Sequence, residues 1–161
     1  MTTFAPEPDL GTPAVAASTE VTLSIDGQEV TVPSGTSVMR AAATAGIEIP
    51  KLCATDSLNS FGSCRMCLVE VEGQRGTPAS CTTPCTDQMV VTTTSESVKD
   101  LRRNVLELYL SDHPADCDGC ARGNCEIQGL ARDLDASTIR YGFGARHTDA
   151  VPDQTNPYFD Y

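Results

Sequence analysis

Apolar and polar residues begin to alternate at Val21. The run Val21-Thr22-Leu23-Ser24-Ile25, the dipeptide Asp26-Gly27 and the run Gln28-Glu29-Val30-Thr31-Val32 predict a β-hairpin, since Asp-Gly tolerates the positive φ of a two-residue turn. Over residues 37–45 the period changes, and Val38, Ala41, Ala42 and Ala45 fall on one face of a short helix. Leu68-Val69-Glu70-Val71-Glu72, stopped by Gly73, and the β-branched run Met89-Val90-Val91-Thr92-Thr93 predict two more strands. Ser97-Val98-Lys99-Asp100 reads as a capping box. The helix it opens should run to about Ser111 with Val98, Leu101, Val105 and Leu108 on its inner face. A second short helix is expected over 126–134, with Ile127, Leu130, Ala131 and Leu134 inward. This order predicts an α+β fold, a small sheet packed on a helix.

Both ends lack a period. Residues 1–19 are rich in Pro, Ala, Thr and acidic side chains, too poor in apolar surface to offset ordering entropy, so a disordered leader is expected. Gly, Pro and Asn scattered through residues 142–157 predict an extended tail over 141–161. No internal repeat is present. Between the ends the pattern separates a strand-rich part, 20–96, from a helical part, 97–140.

With 161 residues the chain has room for one main core and a small appendage. Twenty-two acidic residues against 11 basic ones leave a net charge of -11, which works against binding a polyanion such as nucleic acid. Eight cysteines would suggest disulfides in a secreted chain, but no Lys or Arg precedes Arg40, so neither a signal peptide nor a transit peptide is expected. No apolar stretch reaches the ~18 residues of a membrane span. The expectation is a cytoplasmic protein whose cysteines are kept reduced for metal.

Cys53, Cys64, Cys67 and Cys81 form the first constellation, with ten, two and thirteen residues in the gaps. A Cys-x2-Cys pair with one cysteine before it and one well after it is the plant-type arrangement for a 2Fe-2S cluster, here with a longer first gap. Gly62 and Ser63, just before Cys64, are small enough for backbone N–H groups to approach cluster sulfurs. Together with Arg65, between the paired cysteines, they are the candidate cofactor-binding residues. A four-cysteine zinc site takes the same ligands, but zinc ribbons pair two Cys-x2-Cys knuckles, whereas Cys53 and Cys81 stand alone. Cys85, four residues after Cys81, is read as a small buried hydrophobe, with replacement of Cys81 as ligand the alternative.

His113, Cys117, Cys120 and Cys125 form a second constellation with three, two and four residues in the gaps. Spacing alone leaves a 4Fe-4S cluster and a zinc ion level. The neighbouring 2Fe-2S signature favours the cluster, because one-electron carriers work in chains. A neutral imidazole in place of a thiolate leaves such a cluster one unit less negative and tends to raise its potential. His147, with no cysteine near it, is read as an ordinary surface or core residue.

At these motifs the wording resembles a known family. Lys51-Leu52-Cys53-Ala54-Thr55-Asp56, Phe61-Gly62-Ser63-Cys64-Arg65-Met66-Cys67-Leu68-Val69-Glu70 and Pro78-Ala79-Ser80-Cys81-Thr82-Thr83-Pro84 are similar to the start of the large subunit of cytoplasmic NAD-dependent, molybdenum- or tungsten-containing formate dehydrogenase. Ser111-Asp112-His113-Pro114, with Cys117 and Cys120, and Asn156-Pro157-Tyr158-Phe159 are similar to the same subunit, so the resemblance covers residues 20–161. The same two-cluster arrangement occurs in the small diaphorase subunit of NAD-reducing hydrogenases and in the iron-sulfur subunit of NADH:quinone oxidoreductase. The resemblance implies a β-grasp 2Fe-2S ferredoxin domain over 20–96, followed by a helical 4Fe-4S segment over 97–140. In the complete enzyme it implies further 4Fe-4S clusters, molybdopterin with Mo or W, and a flavoprotein partner with FMN and the NAD site. The gap before Cys125 is one residue shorter than in the family, and Cys85 stands where the family carries an aliphatic residue. Because the family chain continues into more clusters and the molybdopterin domain, the chain is expected to be a fragment or a separate subunit.

These residues contain no glycine-rich nucleotide loop, no paired base and nucleophile and no molybdenum ligand. The function expected is therefore electron relay rather than substrate chemistry. The iron-sulfur subunit of a hydrogenase or NADH:quinone oxidoreductase is the near alternative. A zinc-stabilised interaction domain is the alternative of another class.

Overall fold

The computed structural model describes residues 8–113, 125–136 and 140–141. The chain divides into two compact units, Met1–Val105 and Leu106–Tyr161. Among the described residues no helix is long and apolar enough to cross a membrane.

The first unit is built on the hairpin of β1 (Glu20–Ile25) and β2 (Gln28–Pro33), with Leu23 opposite Val30 and Val21 opposite Val32. Asp26 and Gly27 adopt φ of 49° and 82°, the pair of left-handed residues that a tight hairpin turn needs. The Asp26 carboxylate also accepts from the Thr93 N–H at 2.7 Å, which ties the turn to the end of a distant strand. Helix α1 (Val38–Thr44) follows, with Ser37 Oγ accepting from the Arg40 N–H as its N-cap. Strands β3 (Glu70–Val71) and β4 (Val90–Thr92) complete a mixed sheet in the order β2-β1-β4-β3. β4 lies parallel to β1 and antiparallel to β3. Leu23, Ile25, Val30, Val32 and Val91, inward by strand alternation, meet Val38, Ala41 and Ala42 of α1 in one core. Cys67, Cys81 and Cys85 are part of that same core.

Three expectations are corrected. Helix α2 (Glu96–Asp112) begins one residue before the predicted box, because Ser95 rather than Ser97 is the cap, its Oγ accepting from the Val98 N–H at 3.2 Å. The buried row on α2 is Val98, Arg102, Leu106 and Leu110, spaced by four, while Leu101 and Leu108 are exposed. Arg102 can occupy this row because its guanidinium donates to the Leu68 carbonyl.

The third correction concerns the leader. Asp9 accepts from the N–H groups of Gly11 and Asp56 and from Lys51 Nζ, the last at 2.7 Å. The Lys51 hydrogen bond holds the Asp9 carboxyl well below the usual carboxylate range. Thr12 bonds Ser37 through its hydroxyl and Arg40 through its carbonyl. A Cβ on Gly11, at φ 86°, would meet Met39 Sδ at 2.5 Å, so only glycine allows this approach. Composition suggested disorder, but donors from residues 51–56 converge on one carboxylate and hold residues 9–12 in place.

In the second unit α3 (Glu126–Asp133) starts one residue after Cys125. Ala131 is buried, and Ile127, Leu130 and Leu134 are half-buried. Glu107 is 5 % exposed and pairs with Arg140 at 3.1 Å. The expected tail lies outside the described residues apart from Tyr141.

Candidate metal centre

The loop from Cys53 to Cys67 and the segment around Cys81 supply four thiols to one edge of the core. Burial pushes the Cys53 thiol up, and the N–H groups of Cys64, which reaches Cys53 Sγ at 3.4 Å, and of Ser63 offset part of that rise. On the other side Cys67 and Cys81 form a coupled pair. The Cys81 thiol beside Cys67 favours the Cys67 thiolate and lowers its pKa, while Cys81 itself is pushed up. Cys81 also feels the charges of Cys53 and Cys64, so all four sulfurs share one neighbourhood. The result is two sulfur pairs, Cys53 with Cys64 and Cys67 with Cys81. Two sulfide-bridged irons need such a set, one pair to each iron. A single tetrahedral zinc would instead draw all four sulfurs to one point.

Backbone conformation adapts the loop to this role. Gly62 sits at φ 69°, and a Cβ there would lie 3.4 Å from Thr82 and 3.5 Å from Ala79, so the loop passes close to the segment that carries Cys81. Arg65 holds φ 57°, a left-handed conformation that costs an ordinary residue about 1–2 kcal/mol. That strain lies in the turn between Cys64 and Cys67, while the Ser63 and Arg65 side chains face solvent.

The fit of a 2Fe-2S cluster is visible in what the protein leaves unpaired. Among the described residues three buried side-chain polar atoms have no partner: Ser60 Oγ, Ser80 Oγ and Arg102 Nε. Ser60 is in the Cys53–Cys64 loop, Ser80 precedes Cys81, and Arg102 Nη2 donates to the carbonyl of Leu68, beside Cys67, at 2.6 Å. Leaving a buried donor unsatisfied costs about 1–3 kcal/mol, and thiolates and sulfides are acceptors. Ser80 is near enough to Cys67 to favour its thiolate, although its hydroxyl reaches no acceptor at full hydrogen-bond distance within the polypeptide. The residues therefore fit the cluster. Sequence reasoning missed Ser60, Ser80 and Arg102, because single polar residues near cysteines carry no motif.

Cys85 is set apart from these four. It is 3 % exposed, its N–H donates to the Thr36 carbonyl at 2.7 Å, and burial alone pushes its pKa up to about 11. At pH 8 such a thiol is ~0.1 % thiolate, against ~20 % for an exposed one. Iodoacetamide should therefore modify Cys85 in the folded, cluster-loaded protein at less than about one hundredth of the rate of a free thiol. Peptide mass spectrometry measures this, and fast labelling at pH 8 would contradict the buried position.

In the second unit Cys125 Sγ lies 3.9 Å from His113 Nε2, with Cys125 at the N-cap position of α3. Two of the four second-site candidates are thus neighbours across twelve residues of chain. Cys117 and Cys120 lie outside the described residues.

Two family models match successive stretches of the chain. Residues 18–96 match the 2Fe-2S iron-sulfur cluster binding domain, and residues 102–140 match the NADH-ubiquinone oxidoreductase-G iron-sulfur binding region. An NADH-quinone oxidoreductase subunit of Streptomyces coelicolor is 45% identical over 154 residues, which is 93% of this chain and 18% of the relative. The NADP-reducing hydrogenase subunit HndD of Solidesulfovibrio fructosivorans is 51% identical over 117 residues, 69% of this chain and 20% of the relative. The crystal structure of an NAD+-reducing [NiFe]-hydrogenase in the H2-reduced state superposes with a TM-score of 0.71 at 31% identity, covering 79% of this chain and 55% of that one. The chain spans only about a fifth of the length of these curated relatives.

Proposed function

Because this chain carries a 2Fe-2S iron-sulfur cluster binding domain followed by an NADH-ubiquinone oxidoreductase-G iron-sulfur binding region, we propose that it is the electron relay of an NAD-linked oxidoreductase. Cys53, Cys64, Cys67 and Cys81 hold the 2Fe-2S cluster, and His113, Cys117, Cys120 and Cys125 hold the 4Fe-4S cluster. The single observation that carries the reading is the pairing of four thiols beside the buried, unpartnered donors. The mixed sheet, with its last strand in sequence parallel to the first, supports a β-grasp domain over 20–96.

When bound, the clusters supply one-electron storage at two positions. The chain's own residues do the rest. Cys67 and Cys81 belong to the packed core, so irons held by their thiolates would shift little on electron transfer. N–H groups of Ser63 and Cys64 offset negative charge on Cys53. His113 supplies a neutral ligand that keeps its site less negative.

The motif wording at residues 51–56, 61–70 and 78–84 supports placing this relay in the large subunit of a cytoplasmic formate dehydrogenase. There it stands between a molybdopterin site, with Mo or W and further 4Fe-4S clusters, and a flavoprotein partner with FMN and the NAD site. The high identity to subunits of NADH-quinone oxidoreductase and of a hydrogenase favours a second reading, the equivalent subunit of one of those complexes. Protein purified anaerobically from its native host should be brown and contain about six irons per chain. A colourless preparation containing zinc would overturn the relay, and mass identification of co-purifying subunits separates formate dehydrogenase from the other complexes.

A further inference from the structure

Arg102 is a buried cation that secondary structure does not require. It is 5 % exposed, it lies in the same unit as Cys67, and among the described residues no carboxylate stands within ion-pair distance of its guanidinium. Nη2 donates to the Leu68 carbonyl at 2.6 Å, and Nε has no partner. Burying a guanidinium without a counter-charge costs several kcal/mol in general, and the side chain cannot neutralise itself as a lysine does. Something anionic has to offset it. The nearby anions are Asp26, whose carboxylate is engaged by Thr93, and the Cys67 thiolate. Burial opposes the Arg102 charge while those two groups favour it.

We propose that Arg102 is a positioning residue whose fixed positive charge, behind Cys67, holds the reduction potential of the 2Fe-2S centre above the value that four thiolates alone would set. The proposal rests on the reading that Cys53, Cys64, Cys67 and Cys81 hold that centre. Reduction adds one electron, taking one iron from ferric to ferrous with no bond made or broken and no proton required. The centre becomes one unit more negative. A cation held in a low-dielectric interior stabilises the reduced form more than the oxidised form, and bulk salt screens it little. The unpartnered Nε–H points to the same role, since a donor that finds no acceptor in the polypeptide is available to a cluster sulfur.

The test compares Arg102→Gln, Arg102→Met and Arg102→Lys with the wild type in the anaerobically purified protein. Iron content and visible spectrum report loading, and a redox titration followed by electron paramagnetic resonance reports the potential. In a loaded Gln or Met variant the ratio of reduced to oxidised centre at fixed poise should fall about tenfold, which is 59 mV for one electron. Lys, which keeps the charge, should restore most of the shift. A loaded neutral variant at the wild-type potential would overturn the proposal, as would a Lys variant shifted as far as Gln. If Gln and Met prevent loading while Lys loads at the wild-type potential, the charge is what the centre requires, and the proposal stands. If Lys prevents loading as well, Arg102 is a packing residue and the proposal fails. Wild-type protein without a 2Fe-2S spectrum would instead retire the underlying cluster reading.

Discussion

Serine in place of Cys81 should remove most of the 2Fe-2S visible absorption, while valine in place of Cys85 should leave it intact. The two cysteines are four residues apart and almost equally buried, so neither spacing nor burial separates them. Their neighbours do. Cys81 feels the thiol of Cys67 and the charges of Cys53 and Cys64, whereas Cys85 responds to burial alone. Ligation needs a sulfur at a fixed point, but a core position needs only volume. Cys85→Val is close to volume-conserving and should cost less than about 1.5 kcal/mol of stability. Iron per chain should fall from about six to about four in Cys81→Ser, with the 4Fe-4S signal retained. If Cys85→Val bleached the protein and Cys81→Ser did not, the assignment of the fourth ligand would be reversed.

Cysteine in place of His113 should lower the potential of the 4Fe-4S centre by an amount on the order of 100 mV. His113 Nε2 and Cys125 Sγ are already 3.9 Å apart, close enough to serve one cluster. A thiolate there adds one negative charge beside iron. At about 4 Å and an effective dielectric near 20 such a charge is worth about 4 kcal/mol, and 100 mV is about 2.3 kcal/mol per electron. The 2Fe-2S potential should move much less, since none of its ligands is altered. Electron paramagnetic resonance during a redox titration resolves the two centres. An unchanged 4Fe-4S potential in a fully loaded His113→Cys protein would mean that the imidazole never touched iron.

Much of the first unit was legible from local pattern. The hairpin around Asp26-Gly27 appeared where alternation and turn chemistry agree, and the α1 helix followed from its small-residue face. Strand Glu70–Val71 is shorter than its run of alternation predicts, because Leu68 and Val69 pair instead with Ala79 and Pro78. The start of α2 was misplaced because Ser95 and Ser97 are chemically equal candidates for the cap.

Residue types and spacing by themselves determined which side chains are competent for iron, since Cys-x2-Cys and the His-Cys-Cys-Cys run are chemical statements made within short stretches of chain. Tertiary structure alone decided three things: that Cys81 stands beside Cys67 while Cys85 stands apart from the other thiols, that residues 9–12 fasten onto Lys51 and Asp56 around Cys53, and that Arg102 is buried behind Cys67. Each depends on groups 14 to 47 residues apart in sequence meeting in space, as Asp9 meets Asp56 and Arg102 meets Leu68. Periodicity counts apolar residues along one segment and cannot register such meetings. A buried charge or a pinned leader is stable only through a distant partner, so its position is a property of the fold rather than of any local run of residues.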